Sequence, residues 1–360
     1  MATSFSSLPI VDVSALKAPQ LMSADTETLS KQLFDVFATT GFAYLVNAPL
    51  SFDHDELFGL TREFFAIQMD QKMRLAKKSF RPGHQNTYRG YLNNRCSAFY
   101  TDTRSYFPPQ PHLASDNLKE GFEVGNPAAS HAVSLKSQQK IQLSESNVWP
   151  DDALFKKRER LEDMYKELQV FASQLLSLLA VSLGKDADHF SSWLDDPLST
   201  LRLLHYPSTP QNKAQEKHEP GFVKLSCTPH TDSGILTLLH QDTTGGLEVL
   251  NASGNWIPAP YVPGSIVVNI GDLMASVSGG KFTATMHRVR APPLKESSAE
   301  DAFGRFSVPF FFEPGEECVV VPVNGVGESV VYGEHVRKKM ATFVEFQDDS
   351  GYDTGTTEEM

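Results

Sequence analysis

Positive charge is in short supply. The 360-residue chain sets 32 lysines and arginines against 44 aspartates and glutamates, a formal net charge of −12, and has no basic run that could follow a phosphate backbone or an anionic lipid surface. A small-molecule partner is therefore expected rather than nucleic acid or a membrane, and no obligate protein partner is evident. Cysteine is scarcer still: Cys96, Cys227 and Cys318 lie far apart without CxxC spacing, which argues against a disulfide framework or a thiolate zinc site and for a reducing compartment. No apolar run reaches the roughly 18 residues of a spanning helix. The start, "MATSFSSLPIVDVSALK", lacks the charged and apolar regions of a secretion signal. The expectation is a soluble, cytoplasmic protein without internal repeats.

What is present is 40% hydrophobic residues, enough for an ordinary buried core. "LPIVDVS" and "FAYLV" read as strands, separated by a helix in which Leu29, Leu33, Phe34, Val36 and Phe37 keep helical spacing up to Gly41. A second helix is expected across "DELFGLTREFFAIQMDQKMRLAKK", followed by a polar, turn-rich stretch from about residue 80 to 150. The longest helical pattern covers 152–183, with Leu154, Leu161, Leu168, Phe171, Leu175, Leu178 and Leu179 recurring before Gly184. Beyond it come short β-rich runs, "LRLLHYP", "ILTLLH", "GLEVL", "SIVVNIG", "RFSVPFFFE" and "CVVVPV", broken by Gly, Pro, Asn and Asp. They predict an antiparallel sandwich or barrel framed by helices. "STPQNKAQEKHEP" and "PPLKESSAEDAFG" read as surface loops, and the acidic tail 348–360 is expected to be disordered.

Chemistry concentrates at "CTPHTDSGILTLL". In an extended segment, residues two apart project to one side, so His230 and Asp232 can offer an imidazole nitrogen and a carboxylate oxygen to one point. The pair alone decides nothing between a metal site and a polar turn. In "FTATMHRVRAPP", His287 lies 55 positions beyond Asp232 in another strand-like run, far enough for the chain to return beside the first pair. Two histidines and one carboxylate on one face of an iron leave three adjacent positions open, the arrangement non-haem Fe(II) oxygenases use. A further pair, Arg305 and Ser307 in "RFSVPFFFEP", again stands two apart. A planar guanidinium fork beside a hydroxyl suits a carboxylate.

The ordered set HTD (230–232), GGLEVL (245–250), Trp256, VVNIGD (267–272), HRV (287–289) and RFSVPFFFEP (305–314) resembles the iron(II)/2-oxoglutarate-dependent dioxygenase superfamily. More narrowly, it is similar to the isopenicillin N synthase-like branch of plant and fungal biosynthetic oxygenases. "GFAYLVN", "FFAIQMDQKMRLA", "YRGY", "KEGFEVG" and "NVWP" extend the resemblance through the N-terminal half. The resemblance implies that His230, Asp232 and His287 bind Fe(II), that Arg305 and Ser307 hold the distal carboxylate of 2-oxoglutarate, and that Tyr206 also contacts this co-substrate. Two positions depart from the family pattern: Leu204 stands where asparagine is common, and "VNAP" (46–49) replaces VNHG.

The fold implied is mixed α+β, a double-stranded β-helix (jelly roll) flanked by helices that include one long backbone helix. Residues 1–150 form an N-terminal α/β region and 151–345 the helix plus jelly-roll core. The activity implied is oxidation of a C–H bond of a small organic metabolite, by hydroxylation, desaturation or ring closure or expansion, with O2 and 2-oxoglutarate as co-substrates, in secondary-metabolite biosynthesis. An isopenicillin N synthase-like oxidase without 2-oxoglutarate, a non-catalytic jelly-roll binding protein and a zinc hydrolase remain alternatives at this point. Phe310, Phe311 and Phe312 are expected to alternate between core and pocket wall, His205 and His240 to be structural, Asn269 to sit near the metal, and Asp272 to shape a turn. Arg202 is left between the co-substrate region and an ion pair, and "YGEHVRKKMATF" is a candidate pocket wall.

Overall fold

The computed structural model describes residues 3–19, 21–81, 83–93, 119–128, 143–207, 225–291 and 304–340. In chain order the strands and helices are β1 (Ile10–Asp12), α1 (Ser23–Thr39), β2 (Phe42–Val46), α2 (His54–Ala66), α3 (Met69–Lys72), β3 (Gly90–Asn93), β4 (Glu120–Val124) and α4 (Arg158–Ser182). There follow β5 (Thr200–Tyr206), β6 (Leu225–His230), β7 (Leu236–Gln241), β8 (Leu247–Leu250), β9 (Trp256–Pro258), β10 (Ser265–Ile270) and α5 (Asp272–Val277). The last are β11 (His287–Arg290), β12 (Arg305–Phe312), β13 (Val319–Val320), β14 (Val330–Val331) and α6 (Tyr332–Met340). The tail 348–360 and nearly all of the two expected loops lie outside the described residues.

Eight strands form one sheet in the order β1-β2-β10-β7-β12-β5-β4-β3, antiparallel except for β1 with β2. A second sheet, β6-β11-β8-β9, faces it. Alternation along the strands sorts the side chains. In β12, Phe306, Val308, Phe310 and Phe312 enter the large core shared with the helices, while Arg305, Ser307 and Phe311 stand on the opposite face. In β2, Ala43 and Leu45 join that large core, and Phe42 and Tyr44 join a smaller one between the sheets with Leu247, Val249, Val267 and Val289. The sheet thus has a helix-covered outer face and an inner face toward the second sheet, the jelly-roll arrangement expected.

Helix α4 lays Leu161, Leu168, Phe171, Leu175, Leu178 and Leu179 into the large core. It begins six residues later than its pattern predicts. The carbonyl of Asp151 takes the amides of Leu154 and Phe155 in a separate turn, and Leu154 stays 42% exposed. The second predicted helix is also interrupted: Ile67 and Gln68 are extended, with ψ of 139° and 143°. Lys72 then turns its ammonium onto the Phe65 carbonyl and the Glu120 carboxylate, each at 2.8 Å, inside the protein. The stretch 80–150 contains two strands that its composition does not announce, β3 and β4.

Candidate metal centre and co-substrate pocket

The metal-type cluster is assembled by strand pairing. β11 runs antiparallel to β6 with His287 directly opposite His230, their ring centroids 4.2 Å apart. Asp232 follows β6 by two residues, and its Oδ1 lies 3.8 Å from Nε2 of each histidine. One ligand atom from each of the three residues lies within 4.8 Å of the others. Each imidazole is oriented from behind, His230 Nδ1 by the Thr228 carbonyl at 2.8 Å and His287 Nδ1 by that of Thr285 at 3.2 Å, which turns Nε2 of each ring toward Asp232 Oδ1. Asp232 Oδ2 accepts from Thr237 Oγ1 at 2.6 Å and Asn269 Nδ2 at 2.8 Å, so its other oxygen faces the histidines.

Electrostatics match a cation site. Burial by itself would raise Asp232, but the imidazoles of His287 and His230 and the two hydrogen bonds hold it at about 2. Burial and the neighbouring His230 bring His287 down to about 4, keeping it neutral at physiological pH. A carboxylate and two oriented imidazole nitrogens on one side of a point are the donor set of an octahedral iron with an open face. These residues fit Fe(II).

The inner face of the large sheet carries the rest. Thr237 and Asn269 are cross-strand partners, and Thr237 also pairs with Phe311. Four and six residues back from Phe311 along β12 stand Ser307 and Arg305, opposite Leu204 and Tyr206 of β5. Arg305 is 1% exposed, and its guanidinium carbon sits 5.1 Å from the Tyr206 ring centroid. Its Nε donates to the Gly245 carbonyl at 2.7 Å. Gly245 and Gly246, both at positive φ, make the turn that presents this oxygen and explain the paired glycines of GGLEVL. Nη1 of Arg305 is buried without a hydrogen-bond partner among the described residues. A buried guanidinium N–H of that kind is able to receive a carboxylate. Leu204, in place of the family's asparagine, is buried beside Ser307 and supplies no polar contact there.

The remaining sequence readings find their places. His205 Nδ1 donates to Glu120 Oε1 (2.7 Å) and the ring stacks on Phe306, while His240 packs on Phe52; both are buried. Trp256 is covered by the Arg288 guanidinium at 4.1 Å. Phe310 and Phe312 are core, and Phe311 lines a cavity. Asp272 opens α5 and accepts from Thr231 and Lys339. Arg202 forms an ion pair with Glu123. Val336, Lys339 and Met340 of α6 line the same cavity as Asp232. Thr237 is the functional residue that sequence reasoning passed over. It looks like any strand threonine, and only the pairing of β7 with β10 shows that it shares Asp232 with Asn269.

Comparison with known proteins agrees with this geometry. Residues 197–314 match the 2OG-Fe(II) oxygenase superfamily, and residues 8–152 match the N-terminal family described as non-haem dioxygenase in morphine synthesis. A 2-oxoglutarate-dependent dioxygenase of Didymella fabae is 30% identical over 335 residues, 91% of this chain and 92% of that one. Homoarginine-6-hydroxylase 2-ODD-C23 of Glycine max is 31% identical over 360 residues, covering 95% and 98%. Among solved structures, a full-length Neurospora crassa protein in complex with alpha-KG and thymine superposes with a TM-score of 0.74 at 25% identity, covering 95% of this chain and 99% of that one. The chain belongs to the 2-oxoglutarate/Fe(II)-dependent oxygenase superfamily, as an oxidoreductase that uses iron(II) and 2-oxoglutarate.

Proposed function

We propose that His230, Asp232 and His287 hold the iron, that Arg305, Ser307 and Tyr206 receive the distal carboxylate of 2-oxoglutarate, and that the enzyme oxidises a C–H bond of a small organic metabolite. The observation that carries the assignment is the buried Arg305 N–H on the same sheet face as the two residues that orient Asp232. Iron with 2-oxoglutarate and dioxygen supplies an oxidant for the C–H bond, while the co-substrate leaves as succinate and carbon dioxide. The chain's own residues do the positioning. Thr237 and Asn269 keep one carboxylate oxygen of Asp232 turned to the metal, the carbonyls of Thr228 and Thr285 fix the imidazoles, and the Phe42 ring packs edge-on against His287. A role in secondary-metabolite biosynthesis in the cytoplasm extends the proposal. It is supported by the acidic chain without basic runs, by three widely spaced cysteines without CxxC spacing, and by a cavity that holds Asp232 among polar and apolar side chains.

The test separates iron from co-substrate. His230→Ala and Asp232→Ala should each abolish bound Fe(II) and succinate release. Arg305→Ala should retain iron but weaken 2-oxoglutarate binding at least about a hundredfold, the loss of a buried charge-assisted pair. Succinate release that persists unchanged in Asp232→Ala, measured on protein reconstituted anaerobically and then exposed to O2, would sink the assignment.

A further inference from the structure

The cavity that begins at Asp232 and Ser233 extends along the inner sheet face to a charged end that the iron and co-substrate roles do not use. From Thr237 on β7 the register crosses Phe311 on β12 and Thr200 on β5, and one step on reaches Arg202 paired with Glu123 on β4. Two strand spacings separate β7 from β5 and a third reaches Glu123 on β4, roughly 10 and 14 Å at about 4.8 Å each, the length of a small organic molecule. At this end Lys77 and Arg202 both close on the carboxylate of Glu123, which is 1% exposed. The Arg202 guanidinium lies 4.9 Å over the Phe311 ring, which holds its plane against the cavity wall. Lys119 and Lys339 line the cavity as well; Lys339 is tied to Asp272 at 3.0 Å.

Charge in this lining favours an anion. Glu123 has two cations on it, and Arg202 and Lys77 outweigh the burial that would raise it, holding it ionised at about 2. The other acid at this end, Glu313, is driven by burial up to about 7, so it contributes less than a full negative charge at neutral pH. Asp232 is committed to the metal. A buried cation pair that shares a carboxylate is stabilised by a second. A planar carboxylate matches the Arg202 fork, whereas an amine would add to the cations already gathered on Glu123.

We propose that the substrate is an organic acid whose carboxylate docks on Lys77 and Arg202, at the end of the cavity away from Asp232, with the oxidised carbon further along its skeleton. The proposal rests on the iron and co-substrate assignment above, which places the reacting end. Its test uses protein loaded with Fe(II) and saturating 2-oxoglutarate without oxygen, so that the Arg305 seat is filled. Benzoate, phenylacetate and 3-phenylpropanoate are titrated calorimetrically against the amide of each. At least one acid should bind tenfold or more tightly than its amide. Arg202→Gln should erase that preference, Arg202→Lys should retain part of it, and Glu123→Gln, which removes the internal competitor, should tighten the acid. All three variants should bind Fe(II) and 2-oxoglutarate within about twofold of the parent chain. Should Arg202→Gln not fold, Arg202→Lys and Glu123→Gln carry the test, with thermal unfolding as the check on folding. No acid binding more tightly than its amide, or weaker acid binding in Glu123→Gln, overturns the proposal, as does loss of 2-oxoglutarate binding in Arg202→Gln. A failure of the co-substrate assignment shows elsewhere, as Arg305→Ala binding 2-oxoglutarate normally.

Discussion

Both hydrogen bonds to Asp232 fall on Oδ2, and this one-sidedness is what turns a carboxylate into a directed ligand. Thr237→Val keeps the side-chain volume and removes one of the two. Iron affinity should fall ten- to a hundredfold, the usual cost of losing a partner behind a ligand, as read by equilibrium dialysis of Fe(II) under argon. An unchanged affinity would show that Asn269 suffices alone. The His230, Asp232 and His287 cluster was legible in the sequence because a metal site restricts the residue types and a strand fixes the spacing. Thr237 was not, since its role depends on which strand lies beside which. Glu313 makes a second claim at this scale. Burial raises it to about 7 from the ordinary 4.5, so between those values the folded protein binds a proton that the unfolded chain has released. Its contribution to stability is complete below pH 4.5 and is lost as pH rises through 7. Glu313→Gln can still accept from Tyr332, which now donates to Oε1 at 2.9 Å. It should match the parent chain in thermal unfolding near pH 4.5 and exceed it at pH 8 by several degrees, corresponding to at most about 3 kcal/mol. Equal melting curves at pH 8 would refute the shift.

Elements are positioned by contacts that periodicity does not carry. Gly41 ends α1 at φ 70°, and a Cβ there would stand 2.3 Å from the Thr283 carbonyl and 2.4 Å from the Thr285 hydroxyl. The segment it touches is the one that leads into β11: Thr283 donates to the Phe37 carbonyl, Thr285 Oγ1 to the Thr40 carbonyl, and the Thr285 carbonyl orients His287. Gly41→Ala should therefore cost about 3 kcal/mol in denaturant unfolding, from left-handed strain plus the clash, and should also weaken iron binding. Loss of stability with iron affinity intact would disconnect the helix end from the metal. The glycine stop itself was readable from the sequence, as were α1 and the strands rich in Val, Ile, Leu and Phe. β3 and β4 were not. Their sequences, "GYLN" and "EGFEV", carry glycine and glutamate, and β4 can bury Glu120 and Glu123 because each finds a cation, Lys72 in one case and Lys77 with Arg202 in the other. An ion pair between distant segments leaves no trace in a local pattern. The same applies to the break between α2 and α3, which Lys72 fixes by reaching across to Glu120.

At the scale of the whole molecule, the large sheet is built from both halves of the sequence. β1 and β2 close one edge against β10, and β4 and β3 close the other against β5. The central strands β10, β7, β12 and β5 come from beyond residue 197, within the segment that matches the oxygenase superfamily. A fragment of residues 151–345 would keep all three proposed iron ligands and Arg305, Ser307 and Tyr206. It would also expose the β10 and β5 edges, uncover the apolar surface that Leu33, Phe37, Phe58 and Phe64 bury, and leave Arg202 without Glu123. Bare edges and lost core predict aggregation rather than a smaller enzyme. The fragment should accordingly show no cooperative thermal transition. The full chain should show a single one, raised further by Fe(II) with 2-oxoglutarate in proportion to the logarithm of their concentration, because both bind only the folded form. A fragment that unfolds cooperatively and binds Fe(II) as the full chain does would mean that the N-terminal strands are an addition to a self-sufficient jelly roll. The carboxylate-docking end of the cavity, which needs Glu123 and Lys77, would then be the part those strands contribute.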